Sequence, residues 1–381
     1  MSLARRLKEY AAELGFGAVG VTSAQNFLDT EEVLLDRIAG GLMDGLPWFT
    51  PQRARLSCRP QELLPGARSV VALAASYLTQ EQEIDKPEGH RPRGRLARYA
   101  QGEDYHDVLK ERLRRVVQFV ARELGYTPGF RLFVDSSPLP EREVARRAGV
   151  GWFGKNTNLL VPGLGSWAFL SAIILDVELE EDVPLAKNCG SCNLCIEACP
   201  TNALIDPYIL DNSKCISYLT IENKGNIPKE LREPIGDWVF GCDICQEVCP
   251  VNRKALPIGW DEFNPRPTVG SNPLLLPILE MDNASFRETS MGSPVRRAKL
   301  RGMQRNATVA LGNIGDPDVV LHLGSALESN GEPIVRSHAA WALGRIGGRR
   351  ARRSLEKARQ GEIDPDARRE IEEALECISK L

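Results

Sequence analysis

The stretch CGSCNLCIEACP, residues 189–200, places four cysteines at intervals of three, three and four residues and ends in proline. A second stretch, GCDICQEVCP at 241–250, repeats the later part of this spacing with three cysteines. Eight of the ten cysteines fall between residues 189 and 249. The opening residues, MSLARRLKEYAAELG, have the charge pattern of an amphipathic helix and not that of an export signal. Cysteines clustered in such a long chain therefore indicate metal binding, not disulfides.

The two motifs have the spacing of two-cluster bacterial ferredoxins. In those proteins three cysteines of a C-x2-C-x2-C-x3-C-P run bind one [4Fe–4S] cluster, and the fourth binds the other cluster. The second motif lacks its first member, and Cys215 is the one unassigned cysteine of the region. We therefore predict two clusters, with Cys189, Cys192, Cys195 and Cys249 as ligands of cluster one and Cys199, Cys215, Cys242 and Cys245 as ligands of cluster two.

Zinc is the competing interpretation, because C-x2-C pairs also suit tetrahedral zinc sites. Two C-x3-C-P endings favour iron–sulfur clusters instead. Cys58 and Cys377 lie outside the motifs, and we expect both to be buried as small apolar residues. Two clusters transfer single electrons, so this region by itself fits an electron-transfer protein as well as an enzyme.

Composition and periodicity predict a multidomain α+β protein. A chain of 381 residues with 43% hydrophobic and 26% charged residues fits two or three globular domains. Residues 1–183 alternate helical and strand patterns and predict an α/β domain. Residues 184–260 predict a ferredoxin-like domain, and 261–381 predict a linker followed by helical repeats. No apolar run is long enough to cross a membrane, and we expect a cytoplasmic monomer.

Five segments of the first region have clear patterns. Helices are predicted at 3–14 and at 107–125, the second ending at a glycine. Strands are predicted at 69–77, 130–135 and 167–179, each a short apolar run. These elements place Asp135 at the end of a strand, where side chains commonly face a cleft.

The last hundred residues repeat. NATVALGNIGDPDVV, from residue 306, matches HAAWALGRIGGRRAR, from residue 338, with the same residues recurring 32 positions on, and a weaker third copy includes Ala374, Leu375 and Ile378. Paired helices with this period predict HEAT-like repeats, which usually bind a partner along one face. A helical domain that only covers its neighbours is the alternative. The basic stretch 296–305 predicts an anion-binding surface, or else a solvated helix face.

The segment VDSSPLPERE contains the candidate reactive group, Asp135, with a helix predicted to begin near Glu141. Asp135 or Ser137 could equally be a turn or capping residue. The nearby GVGWFG, residues 149–154, matches a dinucleotide-binding pattern in letters, but it follows a helix and not a strand, so that interpretation is rejected. We expect its glycines to let the backbone approach a large flat ligand.

In combination these motifs resemble the epoxyqueuosine reductase family. The resemblance covers nearly the whole chain through ARYAQGEDYH, VDSSPLPERE, GWFGKN, the split cluster motif, QRNA and the repeats. It implies a cobalamin-dependent iron–sulfur enzyme that reduces epoxyqueuosine to queuosine at the wobble position of tRNA, the last step of queuosine biosynthesis. It also implies an N-terminal domain like the corrinoid-binding part of reductive dehalogenases, with base-off cobalamin.

The same resemblance implies roles for individual residues. Asp135 would be the proton donor, held in an apolar cleft that disfavours its charged form, with Tyr105 and His106 polarising the oxygen that leaves. The serines after Asp135 depart from the family pattern without changing this role. Cobalamin would contact Ala97, Asp135, Leu159, Ser217, Cys242 and Asp243. The phosphates of tRNA would be bound by Arg142, Lys224, Arg297, Lys299, Arg301 and Arg305. An unidentified low-potential donor would supply electrons.

Two rival functions remain at this stage. A corrinoid iron–sulfur reductive dehalogenase would share cobalamin and both clusters, but it has no use for a basic repeat region. A non-catalytic electron-transfer protein would bind about eight irons without stoichiometric cobalamin.

Overall fold

The computed structural model describes residues 1–80, 91–268 and 270–380. These residues form two units, each built from three separated chain segments. The first unit comprises the described residues of Met1–Glu81, Gly102–Ser213 and Asp243–Asn264, and the second those of Gln82–Gln101, Lys214–Cys242 and Pro265–Leu381. The predicted ferredoxin-like region 184–260 is therefore shared between the two units, and the division into three domains stays a prediction.

The secondary structure consists of ten short strands and sixteen α-helices in the described part of the chain. The strands are Ala18–Ser23 (β1), Ser69–Ser76 (β2), Arg95–Leu96 (β3), Phe130–Phe133 (β4), Trp152–Phe153 (β5), Leu159–Leu160 (β6), Ala168–Leu175 (β7), Leu204–Asp206 (β8), Ile209–Leu210 (β9) and Trp238–Phe240 (β10). The helices are Leu3–Glu13 (α1), Leu28–Ala39 (α2), Pro51–Ser57 (α3), Pro60–Leu63 (α4), Tyr105–Leu124 (α5), Glu141–Arg147 (α6), Leu194–Glu197 (α7), Lys229–Arg232 (α8), Ile244–Glu247 (α9), Leu275–Glu280 (α10), Asn283–Thr289 (α11), Lys299–Ile314 (α12), Val320–Ser329 (α13), Pro333–Ile346 (α14), Gly348–Gly361 (α15) and Pro365–Lys380 (α16). None of the helices in the described residues combines the length and the apolar character that crossing a bilayer requires.

A four-stranded antiparallel sheet organises the first unit, in the order β1-β2-β7-β4. Every residue of β2 is buried, which confirms the buried strand predicted at 69–77. Side chains alternate between the two faces of a strand, and Val70, Ala72 and Ala74 of β2 accordingly share a core with Val144 and Ala145 of α6. The sheet thus fixes α6 and the segment that precedes it.

Helix α5 begins two residues before the predicted start, because Asp104 caps it. The carboxylate of Asp104 accepts a hydrogen bond from the backbone N–H of His106 at 3.0 Å, a common way to satisfy an unpaired amide at a helix start. The helix ends at Gly125, which has the left-handed conformation with φ of 76°. The earlier start places Tyr105 and His106 in the first turn of α5.

The repeats of the second unit stack through equivalent glycines. A Cβ atom on Gly312 of α12 would lie 2.9 Å from the Ala342 Cα of α14, and one on Gly344 would lie 3.0 Å from the Ala374 Cα of α16. Glycine at this position of the repeat therefore lets helices of successive repeats approach closely. The predicted period of 32 residues is confirmed, since Gly312 and Gly344 make equivalent contacts with residues that are themselves 32 positions apart.

The two cysteines outside the motifs behave differently from each other. Cys58 is fully buried, as expected, but Cys377 is exposed, so its predicted burial is wrong. The core-facing residues of α16 are Ile371, Ala374 and Ile378. With about 3.6 residues per turn, position 377 lies outside the stripe that these residues form along the helix.

Candidate active site, cluster sites and basic surface

Asp135 lies in a strained loop at the edge of the first unit's sheet. Strand β4 ends two residues earlier, and Asp135 itself has a φ of 53°, which is uncommon for a residue other than glycine. The N–H of Ser136 donates to the carbonyl of Val134 at 2.6 Å and tightens the turn. The side chain of Asp135 is 60% exposed. The loop thus presents a carboxyl group outward from a rigid sheet.

The three residues predicted to take part in chemistry lie together. The hydroxyl of Tyr105 donates to Asp135 Oδ2 at 2.6 Å, and His106 Nε2 lies 3.7 Å from the same oxygen. The second distance is too long for a hydrogen bond, so that contact is electrostatic. A hydroxyl donor and a nearby cation both stabilise a carboxylate. The expectation of an apolar cleft that disfavours the charged form of Asp135 is therefore wrong.

His106 is held as a cation by a second carboxylate. Its Nδ1 atom lies 2.8 Å from Asp104 Oδ1, and its Nε2 atom is buried without a hydrogen-bond partner among the described residues. Burial disfavours the charged imidazolium. The hydrogen bond to Asp104 and the charges of Asp104 and Asp135 outweigh that effect and raise the pKa of His106 to about 9. The ring is therefore protonated at neutral pH.

Aromatic contacts fix the ring of Tyr105. It stacks on Phe169 of β7, with ring centroids 4.3 Å apart, and on the ring of His106 at 4.2 Å. Phe169 also contacts Tyr77, which follows β2, at 4.7 Å. Stacked rings of this kind lose little conformational freedom, so the Tyr105 hydroxyl has a defined position relative to Asp135.

The four cysteines predicted for cluster one line a single pocket of the first unit. Cys189, Cys192 and Cys195 come from the first motif, and Cys249 arrives from the second. Gly154, Lys155 and Asn156 of the GWFGKN segment line the same pocket. Within the described ranges, no three His, Cys, Asp or Glu side chains are grouped so as to hold a single metal ion. The donor set of the pocket, four thiols, fits an iron–sulfur cluster.

A buried polar network that the sequence analysis missed anchors the second motif. Gln246 Oε1 accepts hydrogen bonds from Tyr77 at 3.2 Å and from Ser166 at 2.8 Å. Asn252 donates to the carbonyl of Gln246 and to the Ser166 hydroxyl, both at 2.8 Å. Polar residues flanking cysteines were the available signal. The network ties α9, which contains Cys245 and ends two residues before Cys249, to the residues that flank the sheet strands.

The GWFGKN segment also contacts both motifs directly. Lys155 Nζ donates to Asn193 Oδ1 at 2.8 Å, and Asn156 Nδ2 donates to the carbonyl of Cys245 at 3.3 Å. This segment joins the paired strands β5 and β6. The resulting hairpin therefore contacts both motifs within the first unit.

The glycines near this hairpin serve packing within the unit. A Cβ on Gly149 would lie 2.4 Å from the carbonyl oxygen of Val183, and one on Gly151 would lie 2.6 Å from that of Leu160. A Cβ on Gly154 would meet Asn156 Oδ1 at 2.7 Å. Packing inside the unit thus accounts for glycine at each position, and the approach of a flat ligand stays a prediction.

The remaining cluster and cobalamin predictions fall on both units. Cys199 and Cys245 belong to the first unit, and Cys215 and Cys242 to the second. Leu159 and Asp243 lie in the first unit, whereas Ala97 and Ser217 lie in the second, where a Cβ on Gly241 would meet that of Ala97 at 2.5 Å. The ligand set of cluster two and the cobalamin contacts stay predictions.

Four predicted tRNA-binding cations form one basic surface of the second unit, defined here as Lys224, Arg297, Lys299 and Arg301. Lys224 Nζ donates to the carbonyls of Ile221 and Arg297, at 2.6 and 3.0 Å, while its side chain stays exposed. Burial and the neighbouring cations lower the pKa of Lys224, against the charge of Glu222. Arg297 pairs with Glu222. Cations gathered in this way attract an anionic backbone.

Arg305 does not belong to that surface. It is 1% exposed, and its guanidinium donates to the carbonyls of Leu219, Asn223 and Gly225 at 2.6 to 2.8 Å. The prediction that Arg305 binds tRNA phosphates is wrong, because its donors are all directed into the protein. Arg142, in the first unit, is exposed and donates to the carbonyl of Thr157 at 3.0 Å. Its predicted phosphate contact stays a prediction.

Three family models match the chain. Residues 58–136 match a model described as "Epoxyqueuosine reductase QueG, DUF1730". Residues 188–252 match a "4Fe-4S double cluster binding domain", and residues 298–376 match "HEAT repeats". The second match confirms two clusters in the cysteine-rich region, and the third confirms the class of repeat.

Curated proteins and solved structures show similarity over almost the full length. An epoxyqueuosine reductase of Xanthomonas campestris pv. campestris is 40% identical over 90% of this chain and 96% of its own, and that of Bacillus subtilis is 36% identical over 99% and 96%. A crystal structure of epoxyqueuosine reductase with an epoxyqueuosine-modified tRNA-Tyr stem loop has a TM-score of 0.91, with 35% identity over 99% of both chains. A Bacillus subtilis structure with its catalytic aspartate loop swung out of the active site also gives 0.91, with 34% identity and the same coverage.

Proposed function

The chain belongs to the epoxyqueuosine reductase family, and we infer that it reduces the epoxyqueuosine of tRNA to queuosine. The observation that supports this most directly is the group of Tyr105, His106 and Asp135, which holds an acid–base pair on the same unit as a pocket of four cysteines. The substrate reacts at the wobble position, and the cytoplasm, where tRNA is modified, is the expected location.

The cysteine-rich region binds two [4Fe–4S] clusters, and we propose the ligands assigned from spacing. Cluster one would be bound by the four thiols that line the pocket of the first unit. Cluster two would take Cys199, Cys215, Cys242 and Cys245. The support for the second set is the motif spacing, in which the last cysteine of each run binds the other cluster. Electrons would enter from a low-potential donor.

We propose cobalamin as the group that meets the substrate. When bound, it supplies a strong cobalt nucleophile that combines single electrons into a two-electron attack. The residues present fit such a cofactor: Asp135 is stabilised on its inner side by Tyr105 and His106 and leaves 60% of its side chain open to a ligand. Ala97, Leu159, Ser217, Cys242 and Asp243 would contact it.

The protein's own contribution is to hold and move protons. Removal of an epoxide oxygen as water needs two protons as well as two electrons. Asp135 would pass a proton to the leaving oxygen, and His106, charged at neutral pH, would supply one to Asp135. Tyr105 keeps the carboxylate in one orientation through its 2.6 Å hydrogen bond. Pre-positioned donors of this type lower the barrier without reorganising during the reaction.

We further propose that the basic surface binds the phosphates of the anticodon stem, with Arg142 as an additional contact. Arginine and lysine bind phosphates through charge and, for arginine, paired hydrogen bonds. Such contacts position the substrate without reading its sequence. An unpaired anticodon loop can turn a modified base outward into a site.

The test is turnover of tRNA containing epoxyqueuosine by anaerobic, reconstituted protein, with product measured as queuosine. Asp135→Asn keeps the shape of the side chain but cannot donate a carboxyl proton. We expect both clusters to remain and turnover to fall by roughly two to four orders of magnitude. Asp107→Asn is the matched control, because Asp107 is an exposed carboxylate in the same turn of α5 as Tyr105 and His106. This variant should keep wild-type turnover.

Two results would contradict these proposals separately. Near-normal turnover by Asp135→Asn would remove Asp135 from proton delivery. Full iron content with no queuosine formed and no cobalamin bound would indicate an electron-transfer protein instead of a reductase.

A further inference from the structure

A second carboxyl group, that of Glu141, lies beside Asp135. Glu141 follows Asp135 in the sequence, whereas His106 precedes it. Glu141 opens α6, and its carboxyl group accepts a hydrogen bond from the backbone N–H of Asp135. Its Oε1 atom is buried and has no hydrogen-bond partner among the described residues. A buried carboxylate oxygen without a partner is strongly disfavoured, whereas a neutral carboxyl group is tolerated much better. The geometry therefore favours a protonated Glu141.

The charged groups that face Glu141 are Asp135 and Arg142. Burial comes first, and with the negative charge of Asp135 it raises the pKa of Glu141 to about 8, against backbone hydrogen bonds and the weaker attraction of Arg142. Arg142 is exposed and donates to the carbonyl of Thr157. Glu141 therefore holds a proton at neutral pH.

The proposed reaction needs more protons than Asp135 holds. The contacts with Tyr105 and His106 stabilise Asp135 as a carboxylate, so each proton that it passes on must first come from a neighbour. One turnover removes the epoxide oxygen as water, with two electrons arriving through the clusters and two protons arriving through the protein. His106 accounts for one of these protons.

We propose that Glu141 is the second proton store of the site and returns a proton to Asp135 within a turnover. Each transfer moves one proton from the carboxyl group of Glu141 to the carboxylate of Asp135, and no further reactant is needed. This proposal rests on the proposed role of Asp135 as proton donor. Glu141 acts through Asp135, so it is a supporting residue that does not touch the substrate.

The first test is the pH dependence of turnover at saturating tRNA. The wild-type rate should decline as the pH rises through about 8, where Glu141 loses its proton. Glu141→Gln preserves the acceptor for the Asp135 N–H but has no acid proton. We expect its rate at pH 7 to be lower by roughly 10- to 100-fold, less than the loss for a direct general acid. Its alkaline decline should move from about pH 8 to about pH 9, where His106 loses its proton.

Glu143→Gln is the matched control on the same helix. Glu143 is paired with Arg146 at 2.6 Å. This variant should keep the alkaline decline of the wild type, whatever its absolute rate. An alkaline decline that stays at about pH 8 in Glu141→Gln would overturn the proposal.

The second test reads the proton on Glu141 without turnover. The pKa of Glu141 is raised from 4.5 in the unfolded chain to about 8 in the folded one. Burial of Glu141 therefore costs no folding stability below pH 4.5, and the cost increases as the pH rises to about 8. The melting temperature of Glu141→Gln should therefore exceed that of the wild type by a margin that widens between pH 5 and pH 8. A margin that does not change with pH contradicts the proposal.

Should Glu141→Gln not fold, the wild type and Asp135→Asn suffice. In the wild type the infrared band of a protonated carboxyl group should be present at pH 7 and vanish above about pH 8. In Asp135→Asn the band should vanish at a lower pH, because the negative charge that helps to raise the pKa of Glu141 is gone. Its absence at pH 7 overturns the proton store. Full turnover by Asp135→Asn would instead contradict the proposed proton donor, so the two failures are distinct.

Discussion

Replacing the cations of the basic surface should change the salt dependence of tRNA binding by an amount that the structure sets. Arg297, Lys299 and Arg301 can be changed together to Gln without touching the core, because Arg297 and Lys299 are exposed and Arg301 is half-buried. Each phosphate contact contributes roughly 0.7 to 0.9 to the slope of log K against log salt. Three lost contacts should therefore reduce that slope by about 2 to 3.

The corresponding assay is fluorescence anisotropy with a labelled anticodon stem loop. Between about 50 and 200 mM salt, wild-type affinity should fall roughly 20- to 40-fold more than that of the triple variant. Losses in turnover should fall in KM and not in kcat, because phosphate contacts bind substrate and transition state alike. An unchanged slope would mean that the repeats are a structural cover and that the substrate is held elsewhere.

Glu222→Gln is the matched control with the opposite sign. Glu222 pairs with Arg297, so its neutralisation removes a negative charge from beside the basic surface. Affinity should rise at low salt. Weaker binding by Glu222→Gln would refute the assignment of this surface.

Arg305→Gln should instead lower the melting temperature, because it leaves the carbonyls of Leu219, Asn223 and Gly225 without their donor.

Two further predictions concern the repeats and cluster one. Gly312→Ala should cost about 1 to 3 kcal/mol of stability from overpacking against α14, measured by urea unfolding. Gly302→Ala is the control in the same helix, where a Cβ would meet Ala298 at an ordinary 3.5 Å. It should be neutral or stabilise the fold by about 0.5 to 1 kcal/mol. Equal stability changes in the two variants would contradict the close approach of α12 and α14. Cys249→Ala should lose roughly half of the iron of reconstituted protein. Cys377→Ser changes an exposed cysteine outside the motifs and should lose no iron. Full iron content in Cys249→Ala would refute the place of Cys249 in cluster one.

Local patterns predicted the elements of the fold well where one residue decides the boundary. The end of α5 at Gly125 was predictable because a left-handed residue suits glycine. The start of α5 was missed by two residues, since the cap at Asp104 depends on a side-chain hydrogen bond that periodicity does not report. The division into two interleaved units was beyond the sequence, because contacts between distant segments decide it.

For the candidate site, residue type was predictable but surroundings were not. Tyr105, His106 and Asp135 were named together from motifs, and the structure places the Tyr105 hydroxyl 2.6 Å and His106 Nε2 3.7 Å from Asp135 Oδ2. Their polar, open setting contradicts the apolar cleft that was expected. Arg305 was mispredicted for a similar reason. A cation in a basic stretch of sequence is expected to be exposed, and only the structure shows its hydrogen bonds to backbone carbonyls. Burial and partner identity depend on the tertiary fold.

The cysteine motif and the proton site are parts of one packed network in the first unit. Gln246, between Cys245 and Cys249, accepts a hydrogen bond from Tyr77, whose ring contacts Phe169. Phe169 stacks on Tyr105, and Tyr105 donates to Asp135. Every link is a buried ring or a hydrogen bond, and close-packed interiors resist displacement. The position of Asp135 relative to Gln246, the neighbour of Cys245, is therefore set by contacts within the first unit.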